Sequence, residues 1–530
     1  MKNAAHAELN AEIKSLRAML AERDRAITNH QRVIAARDQQ IALLLEQIRL
    51  QRFKLYGASS EQAPGQGLLF DEAEGLAAAA ADTETTAAAL DATPRAGDST
   101  PSRGKRAPLP AHLPRLDIVH DLTDAERRCD CGAEKVVIGE DVSEQLDIVP
   151  MQVRVLRHVR KTCACPRCQG APVTAALPPQ PIPKSNASAS LLALLLTAKY
   201  VDGIPLHRFE KVLVRHGFDG ASRTTLARWV IACSHLLIPL ENLLRERLLS
   251  HDVLFMDETP VQVLKEPGKT AQSQSYMWVQ AGGPPATPIV LFDYDPSRSG
   301  AVPKRLLGEY CGHLMTDGYE GYNAVVAANG ITHLACWAHA RRKFVEAQKA
   351  QPKGKSGSAD VALNLIGALY GVERDLQGVT DPVERKRRRE ERAVPITIEL
   401  RAWLDKQLLR VPPKTALGTA VAYLNAYWPK LVRYLARGDL PIDNNRAENA
   451  IRPFVIGRKN WLFSDTPAGA EASARLYGLI ETAKANGHEP HAWLRHVLAE
   501  LPKAKTVEEV EALLPWNLDR IMLAGRAYAP

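Results

Sequence analysis

Val253-Leu254-Phe255-Met256-Asp257-Glu258-Thr259 is the stretch whose reading decides the fold. Its apolar run from Val253 to Met256 reads as a buried strand, closed by the carboxylate of Asp257. Comparable runs follow at Met277 to Val279, Pro288 to Phe292, His313 to Met315 and Ile331 to Ala335, so five short strands are expected in succession. The fourth leads straight into Thr316-Asp317-Gly318-Tyr319. Farther on, Asp443-Asn444-Asn445-Arg446-Ala447-Glu448 puts Glu448 one turn into an expected helix. Five strands followed by helix, with acids after the first and fourth strands and on a late helix, is the order of a ribonuclease H-like α/β fold.

Two strand-end aspartates and a helical glutamate are hard oxygen ligands that suit Mg²⁺ or Mn²⁺. A pair of such ions can activate an attacking oxygen while stabilising a leaving one. Taken singly, each acid also has a structural reading. Asp317-Gly318 is a common turn dipeptide, and Asn445-x-x-Glu448 matches a capping box with Asn445 as N-cap. Glu258 is expected on the opposite face of the strand from Asp257. Asp317 and Glu448 stand 131 positions apart, too far for the bare fold. Helices read at Ile366 to Leu376, through the charge run 384–392, at Ile398 to Leu409 and at Ala416 to Leu435 fill that gap as an insertion at about 350–440. The charge run suits either a solvated helix face with i,i+4 pairs or a surface for a DNA backbone.

Upstream, Ile13, Leu20, Ile27, Ile34, Ile41 and Ile48 recur every seven residues, with Leu9, Leu16 and Leu44 on a companion seam. This predicts a coiled-coil helix over 1–61 that ends near Tyr56-Gly57 and joins copies of the chain. Residues 62–107 are rich in Ala, Thr, Gly and Pro and read as a disordered linker. In 108–176, Cys129-Asp130-Cys131 and Cys165-Pro166-Arg167-Cys168 have the pair spacing of a tetrahedral structural zinc site, with Cys163 an alternative to Cys129. Three helices are expected in 177–249, at Ser190 to Tyr200, Leu206 to His216 and Ser222 to Leu236. The last, carrying Arg223, Thr224, Thr225 and Arg228, suits the recognition helix of a helix-turn-helix. A catalytic core over 250–485 and a helical tail over 486–530 complete a multidomain α+β chain.

The 530 residues carry a formal charge of +8. Residues 62–102 hold seven acids against Arg95 alone, so removing their −6 leaves +14 elsewhere, a balance that fits a polyanionic partner. Five of the eight cysteines fall between 129 and 168, which in a reducing compartment reads as metal binding before disulfide. The start lacks the parts of a signal peptide and Leu191 to Leu196 is too short to span a bilayer, so a cytoplasmic, non-membrane protein is expected.

Several ordered strings resemble the transposases of insertion sequence family 66. They are Asp257-Glu258-Thr259-Pro260-Val261, Asp317-Gly318-Tyr319-x-Gly321-Tyr322-Asn323, Cys336-Trp337-Ala338-His339-Ala340-Arg341-Arg342-Lys343-Phe344, Asp443-Asn444-Asn445-x-Ala447-Glu448 and Gly457-Arg458-Lys459-Asn460-Trp461-Leu462-Phe463. Lys54-x-Tyr56-Gly57-x-Ser59-Ser60-Glu61 and Leu513-Leu514-Pro515-Trp516-Asn517 extend the likeness towards both ends. The resemblance implies metal-dependent cleavage at the ends of a mobile element, then attack of the freed 3′-hydroxyl on target DNA. Asp257, Asp317 and Glu448 would be its catalytic acids. It also implies double-stranded DNA as partner, nucleoid association and accessory proteins from the same element. Contacts to DNA would come from His339, Arg341, Arg342, Arg452, Arg458, Lys459 and Trp461, although core packing also suits Trp461. Pro453 is expected to interrupt the helix that carries Glu448 and Arg452. A nuclease without strand transfer, and an inactive DNA-binding regulator, are the rival readings.

Overall fold

The computed structural model describes residues 2–56, 151–163, 173–351, 357–520 and 523. The expected linker, and the expected zinc ligands Cys129, Cys131, Cys165 and Cys168, lie outside the described residues. Nearby, Thr162–Cys163 pairs antiparallel with Val173–Thr174, and Cys163 is exposed.

The heptad stretch forms one helix, α1 (Lys2–Tyr56), about 80 Å long at 1.5 Å per residue. Ile13, Leu20, Ile27, Ile34, Ile41 and Ile48 are all exposed along it. Next come α2 (Ala189–Tyr200), α3 (Leu206–Arg215), α4 (Arg223–Leu236) and α5 (Ile238–Leu249). Ser188 and Ser222 start α2 and α4 by accepting hydrogen bonds from the Leu191 and Thr225 amides.

The sheet contains β1 (Val253–Gln262), β2 (Gln274–Gly282), β3 (Ile289–Asp295), β4 (His313–Thr316) and β5 (Thr332–Ala335) in the order β3-β2-β1-β4-β5. The first three form an antiparallel meander, whereas β4 runs parallel to β1 and β5 parallel to β4. Parallel neighbours need crossovers, supplied by α6 (Ala301–Leu307) and α7 (Asn323–Asn329). All five strands fall where the apolar runs predict them. The first is longer than expected, however, and Asp257 is its fifth residue rather than its end. The meander continues the pairing with β2 as far as Gln262, while β4 accompanies β1 only over Val253 to Phe255. Beyond that point β1 is an edge, which tolerates the missing N–H of Pro260.

After the sheet come α8 (Trp337–Lys349), α9 (Ser358–Asp375), α10 (Pro382–Leu408) and α11 (Ala416–Leu431), the last running into a 3₁₀ turn at Val432–Ala436. Two helices were expected where α10 is one, because the chain passes through Pro395 without breaking. The carbonyl that Pro395 leaves unbonded belongs to exposed Glu391, where water can serve it. The charge run is largely an ion-paired face, with Glu384 binding Arg387 and Arg388. Arg389 departs from both expected readings. It is buried, pairs with Glu373, and donates to the Tyr434, Arg437 and Leu440 carbonyls, tying α10 to the turn after α11.

The remaining helices are α12 (Asn445–Trp461), α13 (Pro467–Ala485), α14 (Pro490–Glu500) and α15 (Val507–Glu511). Pro453 does not interrupt α12, since the carbonyl it frees is that of exposed Asn449. Helix α12 packs on β1 and β2, and α13 on β3. At Gly478 the α13 backbone comes so close to β3 that a Cβ would stand 3.2 Å from Leu291 Cα. Helices α2 and α4 pack on α14 and α13, so the apolar core is continuous from residue 187 through the sheet to the tail. Among the described residues, no helix is long and apolar enough to cross a membrane.

Candidate active site

The sheet register brings the first two acids together. Phe255 lies beside Met315 in the parallel pair, and two further residues along each chain place Asp257 level with Asp317. Glu448 arrives from α12, in its first turn. The start of that helix is pinned to the sheet twice. Asn444 Nδ2 donates to the Met256 carbonyl at 3.0 Å, and Arg446 donates to the carbonyls of Gly283 (2.8 Å) and Gly282. The expected capping box is absent. The helix begins at Asn445, Asn444 makes no side-chain capping bond, and Asp443 accepts from the Asn445 amide at 3.2 Å. Glu448 is therefore not spent on the helix terminus.

Burial and like charge make this pocket electrostatically tense. Asp257 is 7% exposed and Glu448 is 5% exposed. Burial pushes the Asp257 carboxyl well above the usual range, and Asp317, Glu258 and Glu448 push it in the same direction. Burial also raises Asp317, against the pull of the Tyr319 amide and the Arg298 guanidinium. Buried and half-buried oxygen donors that repel one another fit a hard divalent cation, which would relieve both costs.

The turn reading of Asp317-Gly318 also holds, because Asp317 Oδ1 accepts from the Tyr319 amide at 2.8 Å. Helix α11 clamps this turn from outside the sheet. Tyr423 donates its hydroxyl to the Asp317 carbonyl at 2.9 Å and Tyr427 donates to the Gly318 carbonyl at 2.6 Å. Gly318 has φ +96, and a Cβ there would meet Tyr427 at 2.8 Å. A second tie runs through buried His333 on β5. Lys430 donates to its Nδ1 at 3.0 Å, so its Nε2 proton is directed to Thr316 Oγ1 at 2.8 Å, and that hydroxyl accepts from the Gly318 amide. Burial, followed by Lys430 and Arg433, holds His333 down at about 3, hence neutral.

Glu258 occupies the other strand face, as expected, but it is not isolated. Arg298 donates two hydrogen bonds to its Oε1, Tyr322 donates to Oε2 at 2.9 Å, and Asp317 raises its carboxyl after burial. Arg298 also lies 4.1 Å from the Tyr319 ring centroid. Arg342 Nη2 is 3.9 Å from Glu448 Oε2, and its charge also reaches Asp317. His339 Nδ1 is 3.5 Å from Glu448 Oε1, and burial holds the ring at about 3, so this is a contact of a neutral imidazole rather than an ion pair.

The expected DNA contacts divide into two groups. Arg458 is buried, donates to Thr259 Oγ1 at 3.3 Å on the strand face that carries Asp257, and its Nη2 has no hydrogen-bond partner among the described residues. Arg452 is half-buried one turn beyond Glu448, Arg341 is half-buried on α8, and Lys459 is exposed. Trp461 packs edge-on against Phe454 with centroids 5.5 Å apart, which favours its core reading. On α4, Arg223, Thr224 and Arg228 are exposed and Thr225 is half-buried, while Leu226, Trp229 and Val230 face the core. These four residues lie well apart from the acids in sequence and on a different layer of the molecule.

Sequence reasoning missed Arg298, Asn444, Tyr423 and Tyr427 as parts of the site. Only the i,i+4 tyrosine pair had a detectable pattern, one helix turn carrying two hydroxyls on the same face. Tyr322 and Cys336 stood within the quoted strings without an assigned role.

Comparison with known proteins gives the family. Residues 184–472 match the Transposase IS66 family model and residues 478–516 match the IS66 C-terminal element. Residues 126–169 match the zinc-finger binding domain of transposase IS66, and 43–118 match a model described as Transposase C of IS166 homeodomain. Among curated proteins, the chain is similar to three uncharacterized proteins of Sinorhizobium fredii (strain NBRC 101917 / NGR234). It is 33% identical to y4qI over 78% of both chains, and 31% identical to y4jD over 77% of this chain and 81% of that one. Identity to y4hP is 29%, over 92% of this chain and 87% of that one. No solved structure matches. With more than half of its length under the core model and four family models in order along it, the chain belongs to the IS66 family of transposases.

Proposed function

We propose that this chain binds the terminal inverted repeats of an insertion sequence, cuts the DNA strands there, and joins the freed 3′-ends to target DNA, with Asp257, Asp317 and Glu448 as the catalytic carboxylates. The observation that supports this reading is the tense acidic pocket on a strand order of 3-2-1-4-5: Asp257 on β1 and Glu448 on α12 are buried, Asp317 after β4 is half-buried, and the charges of Asp317 and Glu448 both act on Asp257. That order is the one expected of a ribonuclease H-like core. Mg²⁺ or Mn²⁺, held by Asp257, Asp317 and Glu448, would supply the charge that activates an attacking oxygen and stabilises a leaving one.

The chain's own residues do the positioning. Tyr423 and Tyr427 hold the Asp317 turn, and Asn444 and Arg446 hold the α12 start against β1 and β2. Arg458, buried with a free Nη2 beside Thr259, is suited to a DNA phosphate, since a guanidinium without a carboxylate partner presents its donors to an incoming anion. The exposed first turns of α4 supply Arg223, Thr224, Thr225 and Arg228 for duplex binding. A structural zinc held by Cys129, Cys131, Cys165 and Cys168 would order the module before them. The exposed isoleucine stripe of α1 pairs two copies and so brings two element ends together, in the cytoplasm at the nucleoid.

The test is an assay on duplexes that carry the element's ends, with Mg²⁺ or Mn²⁺. Asp257→Asn, Asp317→Asn and Glu448→Gln should each lose cleavage and joining by about a thousandfold or more while keeping DNA binding. Glu258→Gln should be much milder. Retained activity in Glu448→Gln would remove the third acid from the reading. Cleavage without joined product in the wild-type protein would make it a nuclease.

A further inference from the structure

Glu448 has a second set of neighbours that the acid pocket does not explain. Cys336 is the N-cap of α8, and His339 follows three residues later on the same helix face. The Cys336 sulfur, a His339 ring nitrogen and a Glu448 carboxylate oxygen all lie within 4.8 Å of one another. Sγ is 4.0 Å and Nδ1 is 3.5 Å from the same atom, Glu448 Oε1, whereas Arg342 approaches Oε2. His339 Nδ1 is buried and has no hydrogen-bond partner.

We propose that Cys336, His339 and Glu448 form a binding site for a thiophilic divalent ion of the zinc class, which adjoins the all-oxygen site of Asp257, Asp317 and Glu448 and shares Glu448 with it through Oε1. A tetrahedral zinc with about 2.3 Å to sulfur and about 2.0 Å to nitrogen and oxygen separates its ligand atoms by roughly 3.3–3.5 Å, so side-chain shifts of up to about 1 Å close this set, already within 4.8 Å, around an ion. Water completes the fourth position. The donor types carry the assignment. A magnesium site gains nothing from a thiolate, while sulfur and imidazole together select zinc, cobalt and cadmium over hard cations. The sulfur accepts from the Asn444 amide at 3.2 Å and stands at the amino-terminal end of α8. A serine would cap that helix at least as well, so capping alone does not account for cysteine. The inference stands apart from strand transfer, since it concerns only what these three side chains bind.

The experiment uses the full chain and zinc or cobalt as the probe. Zinc retained after desalting is counted for the wild type, Cys336→Ser, His339→Gln and Glu448→Gln, with Cys131→Ser to subtract the amino-terminal module. Each of the first three substitutions should lower the count by about one equivalent, additively with Cys131→Ser. Cobalt-loaded Cys336→Ser should lose a thiolate charge-transfer contribution that His339→Gln also weakens. Cys336→Ser keeps the helix cap, and an unchanged melting curve without metal shows that it folds. Equal counts and spectra in the wild type and Cys336→Ser would overturn the proposal. If Glu448→Gln abolished strand transfer without changing the zinc count, the catalytic reading would survive and this site would not.

Discussion

Helix α1 and the acid pocket are opposite departures from ordinary burial. The helix holds a row of isoleucines in water, whereas the pocket holds carboxylates and guanidinium groups away from it. Exposed apolar area and buried charge both cost free energy in the isolated chain. On the proposed function, each would be relieved by something outside the single chain: a second copy for the helix, and cations and a phosphate backbone for the pocket. The contrast teaches that function here is written where burial is inverted, while the core between the two regions follows the ordinary rule.

The largest effect should come from uncoupling charge from activity in the pocket. Asp257→Asn removes one repelling carboxylate, so the metal-free protein should become more stable by roughly 1–2 kcal/mol while catalysis is lost. Denaturant melts without divalent ions check this, and a destabilised variant would mean that the acids are structural. On the opposite side, Ile27→Asp with Ile34→Asp should reduce the particle mass in light scattering to that of one chain, leaving single-end DNA binding intact. An unchanged mass would break the comparison, because the stripe would then need another partner.

Gly318→Ala probes the joint between sheet and insertion. It places a Cβ against Tyr427 at a backbone angle of +96, and should cost about 1–3 kcal/mol and lower activity through Asp317. The last test concerns His333, whose effect is confined to acid pH. Its folded-state value of about 3 lies below the ordinary 6.5, so the unfolded chain binds the extra proton between those values. Its contribution to stability is complete above about pH 6.5 and is lost as pH falls towards 3, at up to about 1.4 kcal/mol per pH unit. His333→Gln should flatten that slope in melts between pH 4 and pH 6.5. An unaltered slope would show that burial, with Lys430 and Arg433, does not hold the ring neutral.

Local pattern by itself determined the five strands, the helices of 189–249 and the long first helix, and it marked Asp257, Asp317 and Glu448 as the acids to follow. Apolar periodicity and capping chemistry act over a few residues and are readable there. Only the tertiary structure decided that β1 outruns β4 and so sets Asp257 level with Asp317 in mid-strand. It also decided that the insertion grips the Asp317 turn with Tyr423 and Tyr427, that Arg389 ties helices from within, and that α10 and α12 pass through their prolines. Those outcomes depend on partners about 40–200 positions away and on which carbonyls face water, quantities that no window of neighbouring residues contains.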